Sequence, residues 1–171
     1  MRVYLVGYMG SGKSTVGRRL AHLTGWLFID LDKYIEERNC RSVPQIFALE
    51  GEMAFREKEH KALEEVSEFD NVVVATGGGA PCFFDNMALM NRTGTTLFLD
   101  VEPQTLAGRL AVSKTERPLI KGKTRQELLD FIISNLEIRR PWYEQSRFRI
   151  TSTELSPEII LRMISESPGH P

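Results

Sequence analysis

The chain has 171 residues, 42% apolar and 26% charged, with a formal net charge of −1. That length suits one domain with a sizeable core, and so near-neutral a balance gives no bulk attraction for nucleic acid or an anionic membrane. Two cysteines, Cys40 and Cys82, and three scattered histidines offer neither a disulfide framework nor metal-like spacing, so a reducing, cytoplasmic setting is expected.

Residues 2–6 (RVYLV) read as a strand that starts too early to leave room for a signal peptide. A helix over 13–24, closed by Gly25, follows, then a strand over 26–29 and a helix over 32–39. Ser42-Val-Pro-Gln45 is a capping box before the apolar residues 46–49, which Gly51 stops, and a longer helix runs from Glu52 to about Ser67. Residues 72–76 and 95–101 are strands, with residues 87–92 helical between them and Pro103 opening a helix to about Val112. The polar, basic stretch 113–123 (SKTERPLIKGK) is either a surface loop or a lid.

Thr124-Arg-Gln-Glu127 is a second capping box, opening a helix through Arg140 that Pro141 should end or kink. Residues 148–151 form a short fifth strand, Ser156-Pro157 caps a last helix, and the tail after Ser167 should fray. Strands alternating with helices predict a parallel sheet with helices on both faces. No repeat, linker or run of about 20 apolar residues interrupts it, so one domain spanning 1–171 is expected, with no membrane segment.

Gly7-Tyr-Met-Gly-Ser-Gly-Lys13-Ser14 matches G-x-x-x-x-G-K-[ST] between a strand and a helix. Glycines let backbone N–H groups curl around an anion at a helix N-terminus. Lys13 can bridge the outer phosphates of a nucleoside triphosphate, and Ser14 can offer its hydroxyl to Mg²⁺. Gly10, Ser11, Gly12, Lys13, Ser14 and Thr15 are therefore the candidate nucleotide site. Motors, GTPases and small-molecule kinases share this loop. The absence of a guanine-reading Asn-Lys-x-Asp run and the small size favour a compact kinase.

Asp30 and Asp32 end the second strand, where alternation turns both towards the phosphates. Two carboxylates there need a cation or a transferable proton between them. One would hold Mg²⁺ and the other take an acceptor proton; the bland alternative is two solvated loop aspartates. On the helix from Glu52, Glu59 interrupts an apolar stripe and can pair with Arg56, holding that guanidinium towards a planar anion or forming a plain helix salt bridge. Arg139 and Arg140 extend another apolar stripe, as a cleft wall or as snorkelling side chains. Arg117, before Pro118, is suited to neutralise a phosphoryl group in transfer. Gly77-Gly78-Gly79 follow a strand end that needs one glycine to turn, so something must approach that backbone closely.

Gly7 to Ser14, Asp30-Leu-Asp32, Phe55-Arg56-x-x-Glu59, the three glycines, Arg117-Pro-Leu119 and Arg139-x-Pro141-x-Tyr143 together resemble the shikimate kinase family, in its order and near its spacing. The resemblance spans residues 2 to about 165. It implies a three-layer P-loop α/β fold, a five-stranded parallel sheet of order 2-3-1-4-5, a mobile lid near 113–123 and an acceptor region near 31–60. It implies a monomer that moves the γ-phosphoryl of ATP to the 3-hydroxyl of shikimate. Lys13, Asp32 and Arg117 would be catalytic, with Arg117 also on the nucleotide, and Ser14 and Asp30 would hold Mg²⁺. Asp32, Arg56, Gly78, Gly79 and Arg139 would bind shikimate, with the glycines lacking a Cβ so that a ring hydroxyl can reach main-chain N–H.

Overall fold

The computed structural model describes residues 1–113, 120, 122–151 and 156–165. Strands β1 (Arg2–Val6), β2 (Leu27–Asp30), β3 (Val72–Ala75), β4 (Thr95–Asp100) and β5 (Phe148–Thr151) form one sheet of order β2-β3-β1-β4-β5. Every neighbouring pair is parallel, which is the order the resemblance implies. Asp30 and Leu5 both pair with Ala75 in register. The segments that follow β1, β2 and β3 therefore leave the sheet at one edge.

Among the described residues, seven α-helices flank the strands: α1 (Lys13–Thr24), α2 (Leu31–Asn39), α3 (Val43–Ser67), α4 (Asn86–Thr93), α5 (Pro103–Ala111), α6 (Arg125–Tyr143) and α7 (Pro157–Ser165). Side-chain alternation in β1 sends Val3 and Leu5 to a core with α1 and α7, through Val16, Leu20 and Ile160. Tyr4 and Val6 go to the larger core on the other face, with Leu63 of α3, Leu106 of α5 and Ile132 of α6. β3 is buried on both faces, as a central strand of a parallel sheet must be.

Both capping boxes form, Ser42 with Gln45 and Thr124 with Glu127. Gly51, at φ 87° and ψ 173°, breaks α3 where the sequence places a stop, a backbone state other residues reach only with strain. Pro141 does not end its helix: α6 continues to Tyr143. The proline falls in the last turn, where it removes a single backbone bond. The ring of Tyr143 packs on Phe98 of β4, with centroids 5.2 Å apart, and anchors the helix end. β2 starts and ends one residue later than the sequence pattern indicates, so Asp30 is its last residue.

Candidate active site

Gly12 caps α1 at φ 98° and ψ 15°, a left-handed conformation that glycine holds without a Cβ penalty. The first turn of α1 carries no acidic side chain, so its N–H groups and positive dipole end meet no carboxylate of their own. Lys13 is buried and its ammonium donates to the carbonyls of Gly7 and Tyr8, at 2.7 and 2.8 Å. Ser11 Oγ is buried without a hydrogen-bond partner. An unpaired hydroxyl, helix-start N–H groups and an ammonium in one place suit a polyphosphate.

The loop opens into a cleft of about 580 Å³ whose walls include Gly10 to Thr15, Asp30, Asp32, Thr76, Gly77 and Gly78. All six candidate nucleotide residues of the loop are therefore in one place. Arg19 and Arg109 also line it, and neither is among the site residues of the sequence reading. Arg109 donates to the carbonyls of Gly10 and Ser11, both at 3.2 Å, bracing the loop from α5.

Ser14 Oγ donates to Asp30 Oδ2 at 2.8 Å. A hydroxyl and a carboxylate already together beside a phosphate cradle fit Mg²⁺, which takes few protein oxygens and fills its shell with phosphate and water. Among the described residues no group of three or more histidine, cysteine or acidic side chains could form a dedicated metal cage. Asp32 lies in the first turn of α2. Burial, and then the charge of Asp30, push its carboxyl above the ordinary range, against the pull of Lys13 and Arg56.

Arg56 and Glu59 of α3 are both buried, and Arg56 Nη1 donates to Glu59 Oε2 at 2.7 Å. The exposed carboxylate of Glu52 accepts from Nη2 at 3.2 Å. Phe83 covers the guanidinium face, with its ring centroid 4.3 Å from Cζ. Sequence pattern alone does not find Phe83; its only signal is an aromatic pair, Phe83-Phe84, shortly after the glycines. Glu59 Oε1 and Arg56 Nε are buried and unpaired. Burial raises the Glu59 carboxyl to about 7, outweighing the Arg56 charge that opposes it.

The three glycines answer differently from the sequence expectation. A Cβ at Gly77 would lie 2.8 Å from Glu59 Oε1 and 2.9 Å from Asp32 Oδ1. One at Gly79 would lie 2.6 Å from Arg56 Nη2. The side chains are absent first because the protein's own charged groups press against this backbone, before any ligand arrives. Gly78 is looser, its nearest neighbours being Met9 N at 3.3 Å, Gly7 O at 3.5 Å and Arg139 Nη1 at 3.6 Å from such a Cβ.

The two adjacent arginines of α6 part company. Arg140 is bonded to both carboxylate oxygens of Asp100, at 3.1 and 3.2 Å, and belongs to the frame. Arg139 lies over the Tyr8 ring at 5.5 Å and is close enough to Glu59 to act on its charge. Asp32, Arg56, Gly78, Gly79 and Arg139 thus converge from four segments. Arg117 and most of the 113–123 stretch lie outside the described residues. Cys82, half-buried among these groups, has its thiol pushed up to about 11 by burial.

A phosphate loop at the carboxyl edge of a parallel sheet of this order defines a P-loop kinase of the nucleoside-monophosphate-kinase-like group. The family model for shikimate kinase matches residues 9–167. A shikimate kinase of Bacteroides fragilis is 55% identical over 86% of this chain and 83% of its own. The crystal structure of the shikimate kinase of Bacteroides thetaiotaomicron superposes with a TM-score of 0.89 at 48% identity, covering 95% of this chain and 96% of that one. A solved structure of the shikimate kinase of Acinetobacter baumannii, in complex with shikimate, gives 0.84 at 33% identity, over 98% of this chain and 95% of that one. The chain belongs to the shikimate kinase family.

Proposed function

We infer that this protein transfers the γ-phosphoryl of ATP to the 3-hydroxyl of shikimate, giving shikimate 3-phosphate and ADP, a step in chorismate biosynthesis. The observation that carries the reading is the meeting of Arg56, Arg139, Asp32 and the glycine backbone beside the phosphate cradle. Two guanidinium groups suit a carboxylate, while a carboxylate and backbone donors suit ring hydroxyls.

In this reading Gly10 to Thr15 hold the triphosphate and Lys13 spreads its charge over the outer phosphates. Ser14 and Asp30 would hold Mg²⁺, which supplies further charge neutralisation there. Arg56 and Arg139 fix the shikimate carboxylate; Asp32 and the Gly78–Gly79 backbone fix its hydroxyls. The 3-hydroxyl oxygen bonds to the γ-phosphorus as the bond to the β-bridging oxygen breaks, and Asp32 takes the hydroxyl proton. Its raised affinity for protons suits that late transfer. The transition state is loose, so positioning and charge count for more than base strength. Arg117, from the 113–123 segment, completes the neutralisation.

We further propose that residues 1–171 act as one kinase domain, as a monomer in the cytoplasm; the two free cysteines and the lack, among the described residues, of a helix able to cross a membrane agree with it. The test is ADP release with shikimate, gluconate, quinate and nucleoside monophosphates offered separately. Shikimate should exceed each other acceptor by at least about 10²-fold in kcat/KM, since nucleoside monophosphates lack the carboxylate, and gluconate and quinate, which have one, place their hydroxyls differently about it and leave buried groups of the site imperfectly paired. Faster turnover of gluconate would overturn the reading.

A further inference from the structure

Tyr143 is buried, and its hydroxyl donates to the Gly78 carbonyl at 2.5 Å, reaching from the last turn of α6 to the loop after β3. Burial pushes the phenol far above its ordinary range, so it stays a protonated donor at every assay pH. In a trans peptide the carbonyl and the next N–H point in opposite directions. Holding the Gly78 carbonyl against Tyr143 therefore turns the Gly79 N–H away from it. Among the described residues that N–H has no hydrogen-bond acceptor.

The peptide between Gly78 and Gly79 has a glycine on each side, so its plane can rotate with little steric resistance. One fixed hydrogen bond is enough to choose its direction. The Arg139 guanidinium sits beside the same phenol, four residues earlier on the same helix. Tyr143 thus touches both groups that the functional reading assigns to shikimate on this wall of the site.

We propose that Tyr143 is a positioning residue: by holding the Gly78 carbonyl it presents the Gly79 N–H to an acceptor hydroxyl at a set distance from Arg139. The proposal rests on the reading of the chain as a shikimate kinase. It adds a residue that touches neither substrate yet fixes the direction of a backbone donor.

The experiment compares wild type with Tyr143→Phe, which keeps the ring on Phe98 and removes only the hydroxyl. Initial rates are measured with shikimate and with its 4-deoxy and 5-deoxy analogues at saturating ATP. The variant should raise KM for shikimate about 10-fold, the loss of roughly one hydrogen bond. Its kcat should change less than KM, and KM for ATP should stay put. In wild type, the analogue lacking the hydroxyl that meets Gly79 N–H should show a raised KM; in the variant that penalty should shrink towards one-fold. Unchanged penalties for both analogues, or parallel losses in kcat and in affinity for ATP, overturn the proposal by making Tyr143 a packing residue. If the melting temperature falls below assay conditions, the same comparison at 10 °C, on folded protein, separates a positioning role from a packing role by the same readouts. Wild type that ignores shikimate altogether defeats the functional reading itself, an outcome separate from either.

Discussion

Eight consecutive residues, Gly7 to Ser14, carry the proposed phosphate side of the cleft. The proposed acceptor side draws Asp32 from α2, Arg56 and Glu59 from α3, three glycines from the loop after β3 and Arg139 from α6. The first region is mostly backbone: conformation at Gly12 and the first-turn N–H groups of α1 shape the cradle, and Lys13 folds onto loop carbonyls. The second is mostly side chains that hold one another, with Arg56 pinned by Glu59, Glu52 and Phe83. A local backbone device serves any phosphoryl acceptor, whereas a mutually braced cluster commits the protein to one. Damage should accordingly appear in turnover on the first side and in acceptor affinity on the second.

The largest effect expected tests the phosphate side. Arg117→Ala should lower kcat on the order of 10³-fold, with KM for shikimate nearly unchanged, since a phosphate-clamping arginine is worth that much in related transfers. Near-normal turnover in steady-state assays would remove Arg117 from the phosphate side.

On the acceptor side, Arg56→Ala should weaken shikimate binding by about 2–5 kcal/mol, because it strands the buried Glu59 carboxylate and removes a carboxylate partner. Calorimetric titration should find ATP affinity unaltered. Equal loss of both ligands would erase the distinction between the regions.

Glu59 sharpens the comparison through pH. Its folded-state value of about 7 stands above an ordinary 4.5, so across that window the folded chain keeps a proton that the unfolded chain has released. The associated stability is fully present below about pH 4.5 and is lost as pH rises through 7. Between pH 5.5 and 7.5 wild type should lose about 2 kcal/mol more than Glu59→Gln in urea unfolding, a titration the amide lacks. Identical slopes would mean Glu59 stays ionised against Arg56 throughout.

The smallest effect belongs to Asp30. Asp30→Asn should raise the Mg²⁺ concentration for half-maximal rate about 10-fold, with partial rescue at high Mg²⁺. An unshifted Mg²⁺ curve would leave Asp30 only as the hydrogen-bond partner of Ser14.

The same contrast explains what could be read from the sequence. The phosphate loop is local, so spacing alone delivers it, and the strand order follows from alternation plus the family resemblance. Asp32, Arg56 and Arg139 could be nominated individually, but only the fold brings them together. Spacing to Pro141 and Tyr143 favours Arg139 over Arg140, and the reason the neighbour is unavailable lies in Asp100, 40 residues earlier at the end of β4, which holds Arg140. Gly79 shows the limit most clearly. Its missing Cβ invited a ligand, yet the nearest guest is the Arg56 guanidinium, contributed from 23 positions away and invisible to local pattern. Pro141 misled for a related reason, since packing of Tyr143 outweighs one lost backbone bond.

The parallel sheet also decides how this protein can be handled. Because β1 runs towards the phosphate loop, Met1 lies at the far edge, about 17 Å away for five residues at strand rise. A tether, dye or affinity handle fused ahead of Met1 therefore emerges behind the catalytic edge, and a surface-immobilised layer attached by that end would face its clefts into the flowing solution.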